Sequence, residues 1–119
     1  MTTLCLQICE LCGEDAAPGA VPAGRRLYEA LRAAADELSE IEVEAVGCFA
    51  VCDRPVTLAF RAPGKWCYLI GDADPDRDVA DILAAARAIS DSPLGVPAMG
   101  DRPLFFHDGI IARLPPYGA

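Results

Sequence analysis

Two pairs of cysteines are the residues best placed to do chemistry in this sequence. Cys9-Glu10-Leu11-Cys12 and Cys48-Phe49-Ala50-Val51-Cys52 each set two thiols on a short stretch, with residues 13 to 47 between them. Four thiolates can hold one zinc ion in a tetrahedron. They can equally hold a [2Fe–2S] cluster, two sulfurs to each iron. A single pair can also act as a dithiol, with Cys9 attacking and Cys12 resolving. Gly13 after the first pair would suit a zinc knuckle, but the second pair has three intervening residues and no glycine behind it. The dithiol reading wants a helix starting directly behind the nucleophile, whereas loop-forming residues follow Cys12. It also leaves Cys48 and Cys52 without a task.

The rest of the composition narrows the choice. The 119 residues are 53% hydrophobic, enough for one domain with its own core. A scaffold that relied on three disulfides would be smaller and poorer in aliphatic residues. Neither a membrane-length apolar run nor a basic leader with an apolar stretch is visible, so a soluble, cytoplasmic protein is expected. In a reducing compartment paired thiols serve as metal ligands or redox groups. With 18 acidic and 10 basic residues the formal charge is −8. Such a surface repels nucleic acid and anionic lipid and suits a basic protein partner.

The other chemical residues offer less. Cys5, Cys9 and Cys12 have the CxxxCxxC spacing of radical S-adenosylmethionine enzymes, but those need a far larger barrel than this chain can build. Cys5 and Cys67 fall inside strand-like stretches, where a free cysteine is usually a small buried hydrophobe; either remains a reserve ligand. His107 is the only histidine, which gives no support to a hydrolytic Cys–His pair. Residues 13 to 24 lack the lysine and spacing of a P-loop.

The elements that must position the cysteines can be read from periodicity. Leu4, Leu6 and Ile8 alternate with Cys5, Gln7 and Cys9, a strand over 3–9. Gly13, Pro18 and Gly19 mark residues 10–21 as a loop. Pro22 suits the first turn of a helix, and Leu27, Leu31, Ala34 and Leu38 then make an apolar stripe over 23–38. Residues 40–47 alternate Glu40, Glu42 and Glu44 with Ile41, Val43 and Ala45, a strand with one wet face. Val56, Leu58 and Phe60 begin another strand, Pro63-Gly64 fits the centre of a type II turn, and Trp66, Tyr68 and Ile70 alternate on the way back. Asp74 is a candidate N-cap and Pro75 a first helical residue, so a second helix is expected over 75–90, with Val79, Ile82, Leu83, Ala86 and Ile89 inward. Residues 92–119 are rich in proline and glycine and should be mostly extended, with a short strand near Leu104–Phe106 or Ile110–Ala112.

This order, β-α-β-β-β-α plus a tail, predicts a mixed α/β sheet of thioredoxin-like type. The first strand, helix and strand form a parallel unit with a right-handed crossover. Both cysteine pairs then follow the carboxyl ends of neighbouring parallel strands, where ligand and redox sites tend to lie. The expected organisation is a cluster-binding domain at 1–91 and a tail at 92–119 that packs on it or on a second subunit of a homodimer.

The motifs ICELCG and GCFAVCDRP, the hairpin PVTLAFRAPGKWCYLIGD and the tail elements DRPLF and IARLPP resemble the thioredoxin-like [2Fe–2S] ferredoxins. Within that group the chain is most similar to a short bacterial branch of uncharacterised predicted metal-binding proteins. The resemblance implies that Cys9, Cys12, Cys48 and Cys52 hold a [2Fe–2S] cluster. It implies a one-electron carrier rather than an enzyme in its own right, and an association with cobalamin metabolism; with the acidic surface, the expected partner is a redox protein whose docking surface is basic. A zinc-stabilised interaction domain using the same four cysteines, or a dithiol oxidoreductase, is the alternative.

Overall fold

The computed structural model describes residues 4–10, 21–36, 40–47, 49, 56–96 and 109–116. Strand β1 (Leu4–Cys9) leads to helix α1 (Ala23–Ala35) and strand β2 (Ile41–Val46). Strands β3 (Leu58–Arg61) and β4 (Cys67–Ile70), helix α2 (Val79–Asp91) and strand β5 (Ile110–Leu114) follow. The strands make one sheet in the order β2-β1-β3-β4-β5. β1 and β2 are parallel, running Leu4 opposite Ile41 through Cys9 opposite Val46. The other pairings are antiparallel.

Alternation decides which face is buried. Leu4, Leu6 and Ile8 of β1, Leu58 and Phe60 of β3, and Tyr68 and Ile70 of β4 are all fully buried on one face. Leu27 and Leu31 of α1 and Ile82, Ala86 and Ile89 of α2 close over them. The helices touch each other as well as β1, which places both on this side. Burying a Leu or Ile side chain contributes about 1.5–3 kcal/mol each, so this layer is the main source of stability. The opposite face carries Glu42, Glu44, Cys5, Gln7, Arg61 and Cys67, all exposed or half-buried.

The hairpin forms as its residues dictate. Gly64 sits at φ 72°, a left-handed conformation that a side chain would resist. Lys65 N–H donates to Ala62 O at 3.2 Å, closing the type II turn expected of Pro63-Gly64.

Two expectations change and one is extended. The stripe of α1 uses Gly24, Leu27, Leu31 and Ala35, with Ala34 exposed; Gly24 joins the inner face and turns its centre toward Ala35. Leu38 lies outside the described residues. Helix α2 begins at Val79 rather than 75 because Asp74 caps a separate turn: its Oδ1 accepts the Asp76 N–H at 2.8 Å. Asp78, four residues on, is the helix's own N-cap residue. Within 92–119, the strand expected near Ile110–Ala112 forms and runs on to Leu114, as the edge strand β5 of the sheet. It carries an irregularity where Leu69 faces Ala112 and Ile70 faces Ile110, an extra residue of the β-bulge kind. The candidate strand at 104–106 and His107 lie outside the described residues.

Candidate metal centre

The carboxyl ends of β1 and β2 lie side by side, as parallel neighbours in register must. Cys9 is the last residue of β1 and faces Val46, the last of β2. Its N–H donates to Thr57 O at 3.0 Å, and the next N–H, of Glu10, donates to Val46 O at 3.0 Å. These bonds lock the start of the first cysteine loop to the end of β2 and to the residue before β3. The Cys9 side chain is 2% exposed. Its Sγ donates to the carbonyl of Gly47 at 3.6 Å, within reach for a sulfur donor. Gly47 is the residue bonded directly to Cys48. The chain thus brings the thiol of the first pair against the peptide that leads into the second.

Cys12, Cys48 and Cys52 lie outside the described residues. Among the described residues no group of three or more His, Cys, Asp or Glu side chains is gathered to hold a metal. In the sequence Cys12 follows Cys9 by three residues and Cys48 follows Gly47 directly. Half-buried Phe49 packs against the core.

Cys5 and Cys67 belong to a different place. Cys9 lies four strand steps beyond Cys5, about 13 Å at 3.3 Å per step, too far for both sulfurs to bind one small cluster. The CxxxCxxC spacing is thereby split between a strand interior and a strand end. Cys5 faces Arg61 on β3. Cys67, one step beyond the Phe60–Tyr68 pair, falls on the other side of Arg61. Two strand spacings put the two cysteines about 10 Å apart, beyond the Cα separation a disulfide spans. Burial pushes both thiols up in pKa. Glu44 and Glu42 push Cys5 further, while Arg61 opposes the shift at both. They are poor nucleophiles lining a shallow cavity on the open face with Gln7, Arg61 and Leu114. Across that face Arg61 Nη1 donates to Gln7 Oε1 at 3.4 Å, and Gln7 Nε2 donates to Glu44 Oε1 at 3.0 Å.

One contact has no signal in residue spacing. Arg25, in the first turn of α1, reaches back to Glu10: Nη1 and Oε2 are 3.4 Å apart. A helix over 23–38 and a loop after Cys9 could be read from periodicity, but not which helical side chain meets the loop. The guanidinium of the tail residue Arg113 lies 4.4 Å from the centre of the Trp66 ring.

No helix of the described residues is long and apolar enough to cross a membrane. The model of a family described as "Protein of unknown function (DUF1636)" matches residues 6–116. No curated protein matches the chain. Among solved structures, a thioredoxin-like [2Fe–2S] ferredoxin from Aquifex aeolicus superposes with a TM-score of 0.60 at 16% identity, covering 98% of this chain and 97% of the ferredoxin. A cysteine-to-serine variant of the thioredoxin-like [2Fe–2S] ferredoxin from the same organism superposes at 0.61 and 13% identity, over 92% and 98% of the two chains. The fold is therefore thioredoxin-like, as the element order had implied.

Proposed function

Because the chain belongs to the DUF1636 family of proteins of unknown function, its membership supplies no activity, and we propose from its own residues that it is a one-electron carrier of the ferredoxin kind. In this reading Cys9 and Cys12 bind one iron of a [2Fe–2S] cluster and Cys48 and Cys52 the other. The observation that carries it is the approach of Cys9 Sγ to Gly47 O, 3.6 Å, at the ends of two adjacent parallel strands. A thiol 2% exposed at such an edge suits a centre that must be shielded from water on one side and reached by a partner on the other. The likeness to ferredoxins of the same fold supports the same reading.

The cluster, when bound, supplies reversible one-electron chemistry, with its potential set by net charge, hydrogen bonds and exposure. The residues of this chain supply the rest. β1 and β2 fix where the two loops start, and the Cys9 and Glu10 amides tie the end of β1 to Thr57 and Val46. The excess of acidic residues offers a basic redox partner an electrostatic guide. On the family resemblance alone, the electrons are proposed to serve cobalamin metabolism; deleting the gene should then create a requirement for added cobalamin. The proposal is tested by reductive titration under argon. One electron per chain, with a paramagnetic signal appearing in the reduced state, is the expected result. Uptake of two electrons with no such signal would identify a dithiol instead.

A further inference from the structure

Arg25 occupies a position that helix physics disfavours. The N-terminus of a helix is its positive end and stabilises anions, not cations. Yet the first turn of α1 holds Arg25 and Arg26 and no acidic residue. Arg26 has a structural reason: its Nη1 meets Asp76 Oδ1 at 3.1 Å and ties α1 to the turn before α2. Arg25 points elsewhere. Its Nε donates to Glu29 Oε1 at 3.0 Å one turn on, its guanidinium lies 5.2 Å from the Tyr28 ring centre, and its Nη1 lies 3.4 Å from Glu10 Oε2. Glu29 and Tyr28 thus hold one cation against the carboxylate that directly follows Cys9. The Glu10 backbone is itself held, by its N–H on Val46 O.

We propose that Arg25 is a positioning residue for the first cysteine loop that sets the reduction potential of the site by neutralising Glu10 beside Cys9. The inference rests on the [2Fe–2S] reading given above. On reduction the site gains one electron from a reduced partner. One ferric iron becomes ferrous, the net charge falls by one, and no bond or proton need move. A carboxylate next to a ligand opposes that added charge, and a guanidinium paired with the carboxylate relieves the opposition. Local helix rules tend to be broken at functional positions, and this cation at a positive helix end is such a case.

The test is a potentiometric titration of the purified holoprotein at low ionic strength, after its iron and sulfide have been measured. R25Q should lower the potential and E10Q raise it. Each should shift the reduced-to-oxidised ratio at fixed potential roughly two- to fivefold, the span of an exposed charge pair, or about 20 to 40 mV at 59 mV per decade. R25K keeps the charge and should hold most of the parent value, and E10Q/R25Q should return close to it. The shifts should shrink in high salt. A parent protein with no iron and sulfide overturns both the function and this inference. A parent with a cluster, and R25Q and E10Q variants of unchanged potential, overturns this inference alone, even if their melting temperatures fall.

Discussion

Replacing Asp78 by asparagine removes a charge from a residue that is 2% exposed and that starts α2, the helix packed behind β1 and its terminal Cys9. The Asp78 carboxylate accepts the Asp74 N–H at 2.8 Å and the Arg77 Nε and Nη2 at 2.9 and 3.1 Å. Burial pushes its pKa up, but the Arg77 and Asp74 donors outweigh burial and hold it below the ordinary 3.8. A hydrogen bond to a buried charge contributes about 1.5–3 kcal/mol. The Arg77 side chain is 67% exposed, so solvent screens its share and the Asp74 bond carries most of the effect. Asparagine keeps a neutral acceptor, so D78N should cost about 1–2 kcal/mol and D78A, which orphans the Asp74 amide, about 2–3 kcal/mol. For a domain of this size each kcal/mol lowers the melting temperature by about 3–6 °C. The sign with pH follows from the lowered pKa. Stability from ionised Asp78 is fully present above the unfolded value and is lost as pH falls through the folded one. Urea unfolding of parent and D78N should therefore show a gap at pH 7 that closes once the pH falls below 3.8 and through the lowered folded value. Equal midpoints at pH 7, or a gap that survives acid unchanged, would refute this account of how α2 begins.

Three other perturbations separate the cysteines, the partner surface and the hairpin. Alanine at Cys9, Cys12, Cys48 or Cys52 should bleach the visible spectrum of the purified protein, while Cys5→Ala and Cys67→Ala should leave it intact; bleaching by Cys5→Ala alone would reverse the ligand set. Electron transfer with a basic partner should slow as salt rises, and neutralising Glu10, Glu14, Asp15 and Asp53 together should flatten that dependence in stopped-flow rates. Gly95→Ala should cost about 1–3 kcal/mol by thermal unfolding, since Gly95 sits at φ 77° and a Cβ there would lie 2.7 Å from Lys65 Cβ.

Much of the fold was legible because its signals are local. Alternation over Leu4–Ile8 and Ile41–Ala45 marks two strands whatever surrounds them, and Pro63-Gly64 specifies its own turn. The juxtaposition of Cys9 with Gly47 follows from those strands being parallel neighbours. What stayed hidden depends on contacts between distant segments. Asp74 and Asp78 are both good caps by type, and only the mutual hydrogen bonding of 74–78 decides that the first closes a turn and the second starts the helix. Ile110–Ala112 reads as a candidate strand even inside a proline- and glycine-rich tail, but its pairing with β4 has no local signal. Trp66 half-buried under Arg113 and Arg25 aimed at Glu10 are tertiary pairings with no spacing to announce them. Lys65 likewise reaches across to the end of α2, donating to Ile89 O at 3.1 Å and to Ser90 O.

Anaerobic purification followed by an absorption spectrum and metal analysis decides whether Cys9, Cys12, Cys48 and Cys52 hold a two-iron cluster, as proposed. The expected protein is red-brown and absorbs broadly between roughly 320 and 550 nm, with about two iron and two acid-labile sulfide per chain. A colourless protein carrying about one zinc per chain would contradict it.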